Sequence, residues 1–154
     1  MTLNDLSRAE LAVFAYKAAG PNASLEAMKA ICYVMRNRVR AGWGDWIEVI
    51  ETADQHAGNE PVPVKLDSTN RNLQRLLRDI DDVFYAQSGG YQSCGSDTIE
   101  AAMGEQGAGA DKRGALLYWC RIDQPYRPWF EENILKDQKN HRMRMPMGLM
   151  LFFE

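Results

Sequence analysis

Residues 73–84 read LQRLLRDIDDVF, and their period decides most of the fold. Leu73, Leu76, Leu77, Ile80, Val83 and Phe84 recur at three- and four-residue steps. That spacing gathers the apolar side chains on one stripe of an α-helix, with Arg75, Arg78, Asp79 and Asp82 on the other face. Ser88-Gly89-Gly90 predicts its end. Such a stripe needs a partner, and two more helices are legible upstream. Leu11, Val13, Phe14 and Ala18 mark the first, expected to open on a Ser7/Glu10 capping box and to stop at Gly20-Pro21. Met28, Ile31, Cys32, Met35 and Val39 mark the second, opening at Ser24 with Glu26 in its first turn. Arg36, Arg38 and Arg40 load its far end, where the helix dipole favours cations, and Gly42 stops it.

The rest of the chain changes character. Asp45 predicts the cap of a short helix through Trp46, Ile47, Val49 and Ile50. Asn59 to Asp67 holds two prolines and no period, so it reads as loop. Gly89 to Gly95 is turn-rich, Asp97 to Met103 reads as a short helix, and Gly104 to Gly114 carries four glycines. Leu116-Leu117-Tyr118-Trp119-Cys120 is short, apolar and partly aromatic, which predicts a buried strand. Pro125 and Pro128 are expected to break the stretch after that strand. Met147 to Phe153 is a second apolar run, expected to pair with the first. The expectation is an α+β, helix-dominated single domain over residues 1–154 with a small C-terminal β-sheet.

Bulk numbers bound the function. A chain of 154 residues supports one core. With 45% hydrophobic and 25% charged residues, disorder and fibrous repeats are excluded. The net charge of −3 supplies no basic field for nucleic acid. No apolar run approaches the roughly 18 residues of a membrane span. Asp5, Arg8 and Glu10 near the start are unlike a secretory signal, so manufacture in the cytoplasm is expected. Cys32, Cys94 and Cys120 are odd in number and match no metal spacing, so neither a disulfide framework, a metal nor a cofactor is expected. Cys32 falls in the apolar stripe of the second helix and reads as core.

Three ordered segments resemble the SleB-type cell-wall hydrolases, which break glycan strands of peptidoglycan. That family opens on a helix of the form Leu-Ala-x-x-Ile-Tyr-x-Glu-Ala, here matched by residues 11–19 with Tyr16 and Ala19 in register. Its second helix ends Val-x-x-x-Asn-Arg-Val, and Val34-Met35-Arg36-Asn37-Arg38-Val39 resembles it best in the Asn37-Arg38-Val39 ending. A Gln-Phe-Ser signature is answered by Gln55-His56-Ala57, where only the glutamine agrees. Gly114-Ala115-Leu116-Leu117-Tyr118-Trp119 resembles its Gly-Ala-x-x-Tyr-Phe strand. Pro128-Trp129 resembles its Pro-x-Trp stretch, and Asn140-His141 with Phe152-Phe153 its Gly-Asn-His-x-Phe ending.

The resemblance implies a lysozyme-like fold and lytic glycoside chemistry, hydrolase or lytic transglycosylase. One glutamic acid of raised pKa protonates the bridging oxygen. The Tyr16 register puts that residue at position 18, and Ala18 stands there. Alanine carries no proton, and general acid catalysis supplies about 10²–10⁴-fold in rate. Three readings stay open: an engineered loss, a natural pseudoenzyme, or a shifted register in which Glu26 is the acid. The resemblance also implies sugar contacts at Gln55, Tyr118, Trp119, Trp129 and His141, with buried core the commoner role for at least one of the aromatics. The partner implied is peptidoglycan, reached through a holin or a secretion system. The alternative is a catalytically dead lysozyme-like accessory or inhibitor, from a phage or mobile element, that binds a protein. Met143, Met145, Met147 and Met150 are expected to fill core or to face such a partner.

Overall fold

The structure is a computed structural model that describes residues 5–67, 69–84 and 116–154. The element order is α1 (Asp5–Ala19), α2 (Leu25–Arg40), α3 (Trp46–Thr52), a 3₁₀ turn (Ala53–His56) and α4 (Arg71–Phe84). After these come β1 (Tyr118–Arg121), α5 (Pro128–Phe130), a π-helical turn (Glu131–Leu135), β2 (Met143–Met147) and β3 (Met150–Phe153). The architecture is α+β and helix-dominated, as the apolar periods predict. The helix stop at Ser88-Gly89-Gly90, the turns of Gly89 to Gly95, the helix of Asp97 to Met103, the glycine-rich Gly104 to Gly114 and Cys94 lie outside the described residues.

Local chemistry explains each boundary. Ser24 caps α2, its hydroxyl accepting from the Ala27 N–H at 3.1 Å. Asp45 caps α3, with Oδ1 accepting from the Glu48 N–H at 2.9 Å. These caps contribute about 1 kcal/mol each. Ser7 does not open α1, because the helix already runs from Asp5 and Ser7 is buried inside it. A serine costs only a few tenths of a kcal/mol in a helix that packing holds. Pro128 begins a helix instead of breaking one: its fixed φ and missing N–H suit the first helical position.

α1, α2 and α4 form a bundle. Ala12, Ala15 and Ala19 of α1 and Ala27 and Ala30 of α2 are buried, which lets the backbones approach closely. Leu73, Leu76 and Ile80 bring the stripe of α4 into the same core, beside Met28, Ile31, Cys32 and Met35. Lys29 of α2 pairs with Asp79 of α4 at 3.0 Å.

The sheet is antiparallel in the order β1-β3-β2. Tyr118 pairs with Phe153, Trp119 with Phe152, Cys120 with Leu151 and Arg121 with Met150. Its alternation divides two cores. Trp119, Met150 and Phe152 face the bundle, while Cys120 and Phe153 meet Phe130 and Ile134 on the other side. The expected single strand from Met147 to Phe153 is in fact the end of one strand and the whole of the next. Gly148, at φ +60, opens a two-residue turn with Leu149, a position that favours glycine. Pro146 is tolerated because β2 is an edge strand. The first strand starts at Tyr118, two residues later than the apolar run. Met150 is buried and Met147 packs partly on the core, as the core-filling role predicts, whereas Met143 is exposed.

Candidate functional site

The site begins at the end of α2. Gly42, at φ +88, follows the helix, and its N–H donates to Val39 O at 3.1 Å while the Trp43 N–H donates to Arg38 O at 3.0 Å. This glycine-terminated cap turns the chain back over its own last turn. Trp43 therefore lies over Arg38, whose guanidinium carbon is 4.8 Å from the Trp43 ring centre. The same carbon is 4.6 Å from the Trp119 ring centre and 5.8 Å from that of Tyr118.

Asn37 and Arg38 also anchor β1. Asn37 Nδ2 donates to Leu116 O at 3.0 Å, and Arg38 Nε donates to Leu117 O at 2.9 Å. Arg38 Nη2 reaches His56 O at 3.2 Å, so one side chain joins α2, the 3₁₀ turn and the start of β1. Arg38 is 1% exposed. Burial pushes its pKa down to about 9, which leaves it cationic at neutral pH.

Around that cation the rings form a connected set. Trp43 meets His56 at 5.1 Å and Tyr118 at 5.5 Å between centres. Trp129 meets His56 at 5.9 Å and Tyr118 at 6.4 Å, and His141 meets Tyr118 at 5.2 Å. All five rings are half-buried. Most of the contacts are edge-on, the orientation that aromatic quadrupoles favour.

The two histidines are held alike. His56 Nδ1 lies 3.2 Å from Thr52 O, and His141 Nδ1 lies 3.1 Å from Glu154 O. A carbonyl only accepts, so Nδ1 carries the hydrogen and Nε2 is the second ring nitrogen of each. Burial, and then the Arg38 charge, lower the pKa of His56, so its imidazole is neutral at pH 7. Burial raises the Tyr118 hydroxyl, which stays protonated. The set offers apolar ring faces, hydrogen-bonding ring nitrogens and a hydroxyl, with a cation beneath them.

The backbone behind His56 is clamped. Gly58 N donates to Trp119 O at 3.1 Å, and a side chain at Gly58 would start 2.5 Å from Cys120 Cβ. Asn59 Oδ1 accepts from the Arg121 N–H at 2.6 Å, and its Nδ2 donates toward Arg121 O, Gln124 O and Pro125 O at 3.0, 3.2 and 3.0 Å. Arg127 holds Asp54 and Glu60 together at 3.1 and 3.0 Å.

Of the residues expected at a site, the ring contacts unite Tyr118, Trp129 and His141. Trp119 is 1% exposed, so it is core and not a sugar platform; strand alternation turns it toward the bundle, edge-on to Phe14. Gln55 is exposed beside His56. Ala18 is half-buried and packs against the bundle core. Its helix ends at Ala19, and Gly20 after it lies under the Arg121 guanidinium, whereas the ring set lies at the Tyr118 end of β1. Glu26 is exposed in the first turn of α2, twelve residues before Arg38, which is about 18 Å along the helix axis. Trp43, His56 and the role of Arg38 were missed from sequence. The signal for Trp43 was present in Gly42, whose positive φ sends the next residue back over the helix end. Among the described residues no group of three or more metal-binding side chains is found, and no helix is long and apolar enough to cross a membrane.

A scan against protein-family models and searches of curated proteins and of solved structures found no match to this chain.

Proposed function

We propose that this chain is a lysozyme-like, peptidoglycan-directed domain that holds a glycan strand against its half-buried aromatic rings and, with Ala18 in place of glutamic acid, does not cut it. One observation carries the reading: Trp43, Tyr118 and Trp129 form a connected set of half-buried rings with both histidines. The apolar face of a pyranose ring stacks on such planes, and the imidazole nitrogens can hydrogen-bond its hydroxyl and N-acetyl groups. The ordered resemblance to the SleB-type hydrolases supports the substrate. Asn37 and Arg38, from its best-matched segment, are the residues that pin β1 under the cleft. Delivery to the wall by a holin or a secretion system belongs to the same proposal.

Among the described residues, the ring set itself contains no carboxylic acid. Ala18 has no proton to give, and His56 is held in its neutral form. The expected outcome is that the protein sediments with purified peptidoglycan and releases no reducing ends or anhydro-sugars. Trp129→Ala and Tyr118→Ala are each expected to weaken binding to a chitooligosaccharide about fivefold, about 1 kcal/mol, without unfolding the chain. A wild-type protein that binds neither polymer refutes the reading. Ala18→Glu tests the position separately: clearing of peptidoglycan assigns the acid role to residue 18, and a folded variant without clearing removes it.

A second reading, a protein-binding accessory or inhibitor, is favoured by a different surface. A groove of about 450 Å³ runs between α1 and α3, with Val13, Phe14 and Ile50 in it and Glu10, Lys17 and Glu51 at its rim. An apolar floor with a charged rim suits an amphipathic helix. Under this reading Val13→Arg abolishes binding of a protein partner and leaves sugar binding intact.

A further inference from the structure

Among the described residues, Arg38 stands beneath the aromatic rings with no carboxylate against it. Its three nitrogens reach Leu117 O at 2.9 Å, His56 O at 3.2 Å and Met35 Sδ at 3.8 Å, all of them neutral. Two carboxylates near His56 in the chain, Asp54 and Glu60, are both held by Arg127. A buried charge is ordinarily paired, because burying it alone costs several kcal/mol. Here carbonyl dipoles and three ring faces hold it instead. Its field reaches the cleft, since the same charge helps to keep the His56 imidazole deprotonated.

We infer that the cleft selects acidic glycans, whose sugars carry a carboxylate, over neutral ones, and that Arg38 is the residue that sets this preference. The inference rests on the glycan-binding reading above. Arg38 does not touch the ligand; it acts through the rings that cover it. Its guanidinium is 4.8 Å behind Trp43. A sugar ring stacked on the outer side adds roughly 4 Å of van der Waals contact, with its carboxylate beyond the ring edge and off the negative face of the indole. Attraction between unit charges at that separation, in a partly screened cleft, corresponds to about tenfold in affinity (about 1.4 kcal/mol). The exposed cations Lys139 and Arg142 flank His141 and offer a competing source of the same preference.

The test is calorimetric titration of the wild-type protein with two tetrasaccharides of equal length, neutral tetra-N-acetylchitotetraose and the uronate-bearing hyaluronan tetrasaccharide. It is run at low salt and again at high salt. The expected result is about tenfold tighter binding of the acidic sugar, kept at high salt because a buried charge is screened least. Equal affinities overturn the inference and leave the glycan reading standing. A preference that vanishes at high salt belongs to Lys139 and Arg142 and overturns the role of Arg38. Binding of neither sugar overturns both proposals. Arg38→Lys keeps the preference and Arg38→Met abolishes it; if either variant fails to fold, the salt comparison decides.

Discussion

Asn59→Ala perturbs the clamp that places His56. Asn59 is 6% exposed and joins the loop after the 3₁₀ turn to the end of β1 and to the residues beyond it. Its Oδ1 accepts from the Arg121 N–H, and its amide faces three carbonyl oxygens. Two amide hydrogens cannot serve three acceptors singly, so at least one is shared. The substitution removes about three full hydrogen bonds and leaves the Arg121 N–H with no acceptor from this side chain. At about 1 kcal/mol per bond, plus the desolvation cost of a stranded donor, the loss is about 3–4 kcal/mol. For a domain of this size that lowers Tm by about 10 °C. Urea unfolding followed by circular dichroism reads the change as a lower midpoint at constant m-value. Asn59→Asp adds a sign. It keeps the acceptor, removes both donors and turns a carboxylate toward three carbonyls. The folded state then favours the protonated acid, so the folded pKa lies above the unfolded value of about 3.9. Stability of that variant is fullest below the unfolded value and falls as the pH rises through the folded one. A loss under about 1 kcal/mol for Asn59→Ala, or an Asn59→Asp variant that gains stability with rising pH relative to wild type, refutes the clamp.

His56 makes a pH prediction of its own. Its folded pKa is lowered, so its contribution is fully present above the unfolded value near 6.5 and is lost as the pH falls toward the folded one. His56→Gln is expected to flatten the fall in stability on the acid side of that value, read from Tm across a pH series; an unchanged slope counts against it. The buried thiols give a chemical check. Burial pushes Cys120 up to about 12 and Cys32 higher still, so both are expected to resist iodoacetamide in the native protein and to react after denaturation, as read by peptide mass spectrometry. Rapid native labelling of either overturns the packing described for it. Gly58→Ala is expected to destabilise the fold by about 2 kcal/mol, because the new carbon meets Cys120 Cβ and Trp119 O at 2.5 and 2.7 Å.

The helices were legible because their signals are local. Ser24, Asp45 and Gly42 act on residues within one turn of themselves, and the stripe of α4 repeats often enough to outvote accidents. The sheet was half legible. The apolar run from Met147 to Phe153 hid a turn because Leu149 looks like strand, while the informative residue, Gly148, is one glycine among twelve. Pro128 was misread because proline both ends and begins helices, and only the fold beyond it tells which. The site was least legible. Tyr118, Trp129 and His141 came from a resemblance, and sequence does not tell which of two adjacent aromatics faces outward. Trp119 and Tyr118 are separated by the pleat alone. Arg38 carried no mark of its place among Arg36 and Arg40; three rings and two carbonyls from distant segments make it different.

The middle strand of the sheet is the last of the three to be made. β3 lies between β1 and β2, so β1 has no neighbour on that side until residues 150–153 leave the ribosome. β2 and β3 can zip locally across Gly148-Leu149, but β1 must wait through α5 and the π turn for its partner. Both cores wait with it, since Phe152 seals one and Phe153 the other. The three helices are therefore free to associate during synthesis, but the core they share with the sheet is completed only when Phe152 arrives, and the second core only when Phe153 does. A nascent chain stalled before Met150 would present Trp119 and Cys120 on an unpaired strand edge, the form of this protein most exposed to chaperones and to aggregation.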